Sequence, residues 1–561
     1  MPSPLRELAR AGVRGLPGPG LRGSRVRAVA AVVLLQSCAT PAGAPRPLDA
    51  RMSADAVRAA VRRAVGHDRM RSQAAGFEVV ETNEAGGDTA IYRFGPRGEL
   101  MRLDAGGRTG VLGFDGRYAW QLTSRNPGVA DPLSQRNREK LLTPLWVRGG
   151  WWLHPDAPFR LAVVDSLSDS THVALSLRAP EGLVGSTVFI DRRSSLPTSL
   201  VVEYERGPNR FVYDDYRSVL GFRIPHRVTS TYAGNTSVRR VVEVRPVAGP
   251  ARAAFAVPPL PADHAFDPAL PAALEVARAA PYADGTPGHV FVRPRVEGRD
   301  VGWWNFDSGA EGMTIDAALA DSLGLPVVGR TGVTGADGRR REATIRRART
   351  FTLGRLTLRD PLLLAEDLSA TTAPPGTRRG GVVGYPVFRR AVVEFARGGD
   401  AVALHDPAAY TLPPGGRWAG LSFIDLTPAA CATIEGGRRG LYQLDTGHGG
   451  TASLYSGYVR RENLLAGRDT QSVTSAGTGG AFRTTRGTLQ WIELAGRRWE
   501  RQEVELRTGG ASREGGAGVI GRVLLRDFTV VFDYPDRRLA LVPADGSATT
   551  DAAARSLEAC R

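Results

Sequence analysis

Two stretches of the chain are written to one plan: NFDSGAEGMTID at Asn305–Asp316 and QLDTGHGGTASL at Gln443–Leu454. Each has an aspartate, a small hydroxyl residue and a glycine, with another glycine five positions after the aspartate. Each is preceded by an apolar-rich run, Val301–Phe306 or Leu441–Leu444. The surroundings repeat in the same order. A hairpin-like pair precedes each aspartate, and a Gly-bearing segment comes after it (Gly332–Gly338, Ser475–Gly480). An apolar pair then ends in glycine, Val382-Val383-Gly384 or Val519-Ile520-Gly521. Gly384 lies 77 positions beyond Asp307, and Gly521 lies 76 beyond Asp445. One Asp-Thr-Gly would be an ordinary Asx turn between strands. Two copies in matched order and spacing make this part of the chain a duplicated domain.

At 561 residues the chain exceeds one ordinary domain and has room for three or four units. Its 67 glycines and 38 prolines favour short strands and tight turns over long helices. A proline-rich break at Val257–Ala273 separates the duplication from the chain before it, and a shorter one at His405–Gly416 separates the copies. The net charge of +16 is scattered arginine, with Lys140 the only lysine, and no nucleic-acid-binding motif accompanies it. Nucleic acid is therefore not an expected partner. The histidines and cysteines lack zinc spacing, so neither a metal nor a cofactor is expected.

Arg22, Arg25 and Arg27 precede an apolar run, Ala28–Leu35, which leads into Leu35-Gln36-Ser37-Cys38. A basic segment, a short apolar segment and small residues at its end read as an export signal. The run is too short to span a bilayer. The last four residues resemble the lipobox of bacterial lipoproteins, which implies acylation of Cys38 and a lipid anchor. Plain secretion and an ordinary N-terminal helix on a cytosolic protein are the alternatives. With Cys38 so used, Cys431 and Cys560 remain as a pair that an oxidising compartment would bond; two independent thiols are the alternative.

Ser53–Val65 carries Ala54, Val57, Val61 and Val65 at helical spacing. From there to about Val247, short alternating runs separated by turn residues predict a meandering antiparallel sheet. His154 and Asp156 have no nucleophile or metal partner near them in sequence and read as loop residues. Together with the N-terminal helix, GFDGRYAW (Gly113–Trp120) and YDDYRSVLGFRIPHRV (Tyr213–Val228) resemble the β-half-barrel domains of the periplasmic lipoprotein-carrier and outer-membrane lipoprotein-sorting type. That resemblance implies a concave apolar face able to hold acyl chains or a hydrophobic partner.

The duplicated half, from about Pro287 to Ala544, resembles the aspartic peptidases of the pepsin–retropepsin kind, specifically the bacterial retropepsin-like members. The resemblance implies two lobes that bring Asp307 and Asp445 together at a pseudo-twofold axis. Two carboxylates held about 3 Å apart cannot both ionise and share one proton. The ionised one can take a proton from a water that attacks the peptide carbonyl, and the protonated one can donate to the developing oxyanion. Ser308 and Thr446 would lock the two turns, and Gly309 and Gly447 would permit close backbone approach. Val383-Gly384 and Ile520-Gly521 would buttress the turns from behind. The Gly-bearing segments fall where the family places its flaps, without the tyrosine of pepsin flaps. His448 reads either as a perturber of the site's pH range or as an outward loop residue.

The sequence thus predicts a mainly β chain: an N-terminal antiparallel β-half-barrel-like domain, then two tandem pepsin/retropepsin-like β-barrel lobes forming a pseudo-dimer. The expected boundaries are a signal segment at 1–38, a linker at 39–50 and the β domain at 51–250. A Pro/Ala-rich linker at 251–286, lobe 1 at 287–410, lobe 2 at 417–545 and a tail at 546–561 complete the chain. The expected function is aspartic endopeptidase in the bacterial cell envelope, periplasmic or membrane-anchored, with a peptide or protein substrate and a lipid or lipoprotein partner at the N-terminal domain. The alternative is a non-catalytic envelope protein that binds lipid or lipoprotein and uses the lobes as a scaffold.

Overall fold

The structure, a computed structural model, describes residues 48–560 except 50–51, 72–75, 96–98, 106–107, 117, 123–130, 134, 180–183, 205–206, 233, 248–254, 259–261, 282–287, 335–339, 370, 398, 478–479 and 510–515. The signal segment with Cys38 lies outside these residues. The described residues, from Leu48 onward, belong to one compact unit.

The first β region is a single 13-stranded sheet running from Phe77 to Pro246. Its strands succeed one another as antiparallel neighbours in two runs, Phe77–Asn83 to Asp131–Pro132 and Arg160–Val163 to Asn235–Pro246. Phe77–Asn83 pairs with Asn235–Pro246 and so joins the runs, which leaves Asp131–Pro132 and Arg160–Val163 as the two edges. This is the predicted meander. The helix Ala54–Val65 is capped by Ser53, whose hydroxyl accepts from the Ala56 N–H; such a cap contributes about 1 kcal/mol. Its buried stripe, Val57, Val61 and Val65, joins Phe77, Val79, Phe94 and Phe222 from the strands in one core. A second helix, Gln135–Arg148, adds Leu142, Leu145 and Trp146 to that core. Arg148 at its end pairs with Glu81 inside the sheet and lies over the Tyr92 ring, 4.6 Å from its centroid. Both partners of the pair are almost fully buried.

The duplication is visible strand by strand. In the first copy the eight-stranded sheet runs Val276–Arg278, Val290–Val292, Trp303–Phe306, Arg379–Val383, Thr314–Asp316, Leu362–Glu366, Arg340–Arg347, Val327–Thr334. In the second it runs Ser422–Ile424, Thr427–Ile434, Arg438–Leu444, Gly518–Ile520, Ala452–Leu454, Arg497–Leu506, Gly480–Leu494, Thr470–Gly477. The strand leading to each aspartate pairs in parallel with the strand ending at Val383 or Ile520, as Phe306 opposite Val383 and Leu444 opposite Ile520. A five-stranded sheet ties the lobes together, because Val392–Ala396 of the first pairs antiparallel with Phe528–Asp533 of the second. The core of both lobes is continuous across it, through Phe306, Phe388, Phe395, Phe532 and Tyr534.

Two segments differ from expectation. The 251–286 stretch, expected as a linker, contains His264–Phe266 and Val276–Arg278, which add as edge strands to the sheets of the first lobe. Proline is tolerated beside an edge strand, so a proline-rich stretch can still dock there. The 546–561 tail contains a helix, Asp551–Ser556, and this end of the chain packs Ala554 and Leu557 on the core of the lobes. A disulfide joins Cys431 to Cys560. The N-terminal domain touches the lobes through the Asn137 amide, which donates to Asp425 at 3.0 Å, and through Arg537 over the Tyr118 ring, 4.7 Å from its centroid.

Candidate active site

Each aspartate sits on the turn after a strand whose last residues are buried, and its backbone is fixed from behind. Asp307 N–H donates to the Val383 carbonyl at 2.9 Å, and Asp445 N–H to the Ile520 carbonyl at 3.0 Å. The next glycines along the buttress strands, Gly384 and Gly521, open the short helices Tyr385–Phe388 and Arg522–Leu525. A Cβ on Gly384 would lie 2.4 Å from the Gly312 carbonyl oxygen, and one on Gly521 2.2 Å from that of Gly450. No side chain fits between buttress and turn.

The two turns meet. Ser308 N–H donates to Thr446 Oγ1 at 2.9 Å, and Thr446 N–H donates to Ser308 Oγ at 2.9 Å. Each hydroxyl then reaches across to the other strand: Ser308 Oγ donates to the Leu444 carbonyl at 2.8 Å and Thr446 Oγ1 to the Phe306 carbonyl at 3.3 Å. Both side chains are buried, so the four bonds satisfy groups that water cannot reach. Gly309 faces the opposite carboxyl so closely that a Cβ would stand 2.5 Å from Asp445 Cγ; for Gly447 and Asp307 Cγ the figure is 2.4 Å. Only glycine lets the two aspartates approach this way.

Asp307 Oδ1 accepts from Gly309 N–H at 2.7 Å, and Asn305 Nδ2 stands 3.4 Å from its Oδ2. Asp445 Oδ1 accepts from Gly447 N–H at 2.7 Å and from His448 N–H at 3.0 Å. Burial first, and the facing Asp445 charge second, hold the Asp307 carboxyl well above the usual carboxylate range. A proton shared between two facing carboxyls has this signature, and the pair can supply a base and an acid at once.

Thr427 of the second lobe reaches the first turn, its hydroxyl 3.4 Å from the Gly309 carbonyl. Sequence reasoning missed it, since Thr427 lies far upstream of Asp445 and belongs to no repeated motif. The segments read as flaps continue hairpins, Val327–Thr334 with Arg340–Arg347 and Thr470–Gly477 with Gly480–Leu494. Their tips, 335–339 and 478–479, lie outside the described residues. Among the described residues no group of three or more His, Cys, Asp or Glu side chains could hold a metal, and no helix is long and apolar enough to cross a membrane. His154 and Asp156 lie at a surface turn, where Asp156 N–H donates to the ring at 3.2 Å.

Known proteins share parts of this chain. Residues 292–387 match the family model described as Aspartyl protease, a span that includes Asp307 and Gly384 and stops before the second lobe. No curated protein matches the chain. An aspartic proteinase from Irpex lacteus is 15% identical, with a TM-score of 0.30, over 47% of this chain and 96% of that one. A LolA superfamily protein from Nitrosomonas europaea is 13% identical, with a TM-score of 0.26, over 36% of this chain and 98% of that one.

Proposed function

We propose that the chain is an aspartic endopeptidase of the retropepsin-like kind, with both lobes in one polypeptide and Asp307 and Asp445 as its catalytic pair. The observation that carries this is the reciprocal exchange between Ser308 and Thr446, which holds two carboxyls face to face over two glycines. A scaffold would have no use for a half-buried pair of facing acids, which costs stability unless one of them keeps a proton.

The chemistry uses that placement directly. The substrate lies over the dyad beneath the two hairpins, with its scissile carbonyl between the carboxyls. The ionised carboxylate removes a proton from the attacking water, and the protonated carboxyl donates to the carbonyl oxygen as it gains charge. As the C–N bond breaks, the proton taken from water passes to the leaving nitrogen, and the hydroxyl formed from the carbonyl oxygen returns its proton to the other carboxylate, so the pair regains its starting state. The hairpins exclude bulk water while this happens. A peptide-library digest with and without pepstatin tests the proposal. Cleavage abolished by pepstatin supports it, and no cleavage at any pH favours the binding-protein alternative.

By the same reading the protein resides in the bacterial envelope, anchored through an acylated Cys38, with the N-terminal domain receiving a lipid or lipoprotein. The resemblance of Gly113–Trp120 and Tyr213–Val228 to lipoprotein-carrier domains supports the second point. Palmitate incorporation in a bacterial host, lost in Cys38→Ala, tests the anchor.

A further inference from the structure

The two aspartate turns share a backbone path but differ in the residue after the glycine. Ala310 stands after the first Asp-Ser-Gly and His448 after the second Asp-Thr-Gly. Ala310 N–H donates to the Asp307 backbone carbonyl at 3.2 Å. His448 N–H makes the matching bond to the Asp445 carbonyl at 3.2 Å and also donates to Asp445 Oδ1 at 3.0 Å. Asp445 therefore receives two backbone N–H donors on one oxygen, where Asp307 receives one on Oδ1 and only the more distant Asn305 Nδ2, at 3.4 Å, on Oδ2. Donors aimed at a carboxylate favour its charged form.

The imidazole is what sets the second turn apart from the first. It lies against the second buttress, where a Cβ on Gly521 would be 2.5 Å from His448 Cδ2 and one on Gly450 3.2 Å from Nε2. The His448 carbonyl accepts from Arg522 N–H at 3.0 Å, as the Ala310 carbonyl does from Tyr385 N–H at 2.9 Å, so the ring and not this bond distinguishes the turns. Nε2 is buried and makes no hydrogen bond. The ring is thus clamped between the turn and the helix Arg522–Leu525, and a smaller side chain would free the turn to rotate its N–H off the carboxylate.

We infer that His448 is a positioning residue that makes the pair unequal, holding Asp445 as the ionised member and leaving the shared proton on Asp307. The inference rests on the reading of the two aspartates as a catalytic pair. It makes Asp445 the base toward water and Asp307 the acid toward the substrate carbonyl. The charges around the ring agree with it. Asp445 lies on its own turn, Glu505 on the strand Arg497–Leu506, Arg507 just beyond that strand, Arg522 on the buttress helix, and His289 before Val290–Val292. Burial holds the imidazole below its usual range, with Arg507 and Arg522 acting in the same direction and Asp445 and Glu505 opposing them.

The test has one arm that needs no turnover. The His448 ring is titrated by NMR in the full chain with labelled histidine, its signal assigned by its loss in His448→Gln. Asp445→Asn removes an adjacent anion and lowers the His448 midpoint by about 1–3 units. Asp307→Asn replaces a neutral acid by a neutral amide and leaves the midpoint in place. A shift with Asp307→Asn, or none with Asp445→Asn, overturns the assignment. The second arm is the pH profile of kcat/KM. His448→Ala moves the acidic limb to higher pH, and His448→Gln, which keeps the bulk of the ring, restores it toward the wild type. A uniform drop with both limbs unmoved would make His448 merely structural and overturn the inference. Failure of the wild type to cleave any peptide strikes at the catalytic reading, while the NMR arm still decides where the proton sits.

Discussion

Ser308 and Thr446 each donate a backbone N–H to the other's hydroxyl oxygen at 2.9 Å, so neither aspartate turn is complete without the opposite lobe. Thr446→Val keeps the shape of the side chain but leaves the Ser308 N–H buried with no acceptor. An unmade buried bond of this kind costs about 1–3 kcal/mol. The denaturant midpoint should fall accordingly, and kcat/KM should fall further than the stability loss explains, because the carboxyls lose their spacing. An unchanged midpoint would show that the exchange does not hold the lobes.

The duplication was legible because it left two aspartate turns in matched spacing, and the meander was legible because alternation over Phe77–Asn83 and its neighbours is a local pattern. What sequence could not display is what non-local packing decides. The antiparallel pairing of Val392–Ala396 with Phe528–Asp533 joins distant segments of the chain, and either would serve equally as an ordinary strand. His264–Phe266 and Val276–Arg278 sit in a proline-rich stretch whose composition reads as linker until a sheet edge is present to receive them. His448 stands next to a repeated motif without belonging to it, so its clamping between Gly450 and Gly521 emerges only in three dimensions.

Glu81 on a strand and Arg148 at a helix end form an ion pair inside the N-terminal core, another pairing without a sequence signal. Removing one partner strands the other charge in an apolar interior, so Arg148→Met should destabilise by about 3–5 kcal/mol. Replacing both, Glu81→Leu with Arg148→Met, should recover most of that loss. Chemical denaturation of the two variants checks this, and a double variant as weak as the single one would contradict it.

The bond between Cys431 and Cys560 closes a loop spanning 129 residues and pins the C-terminal end to the strand Thr427–Ile434, which precedes the second aspartate strand. By chain-entropy reasoning a closure of that length contributes about 3–5 kcal/mol. Cys560→Ser should lower the unfolding midpoint and expose Leu557, which is buried in the intact protein. Proteolysis should then release the last residues first. A midpoint insensitive to the substitution would place the stability of this end in the helix packing alone.

Asp307 also gives stability a pH dependence of definite sign. Its folded carboxyl titrates above the unfolded value of about 3.9, so between the two values the folded state binds more protons than the unfolded one. The contribution is fully present below the unfolded value and is lost as pH rises through the folded one. Asp307→Asn should remove that decline. Unfolding free energies measured from acid to neutral pH should therefore converge at low pH and separate in favour of the variant as pH rises; parallel curves would contradict the raised carboxyl.

The most direct measurement is peptide cleavage by the wild type, Asp307→Asn, Asp445→Asn and the double variant across the pH range. Residues that act as a unit lose their effect together, so each single variant should abolish cleavage and the double one should be no worse. The wild-type profile should be bell-shaped, with both limbs belonging to the pair. If Asp445→Asn keeps most of the activity while Asp307→Asn loses it, the two lobes of one chain do not form the dyad, and the account of this site is wrong.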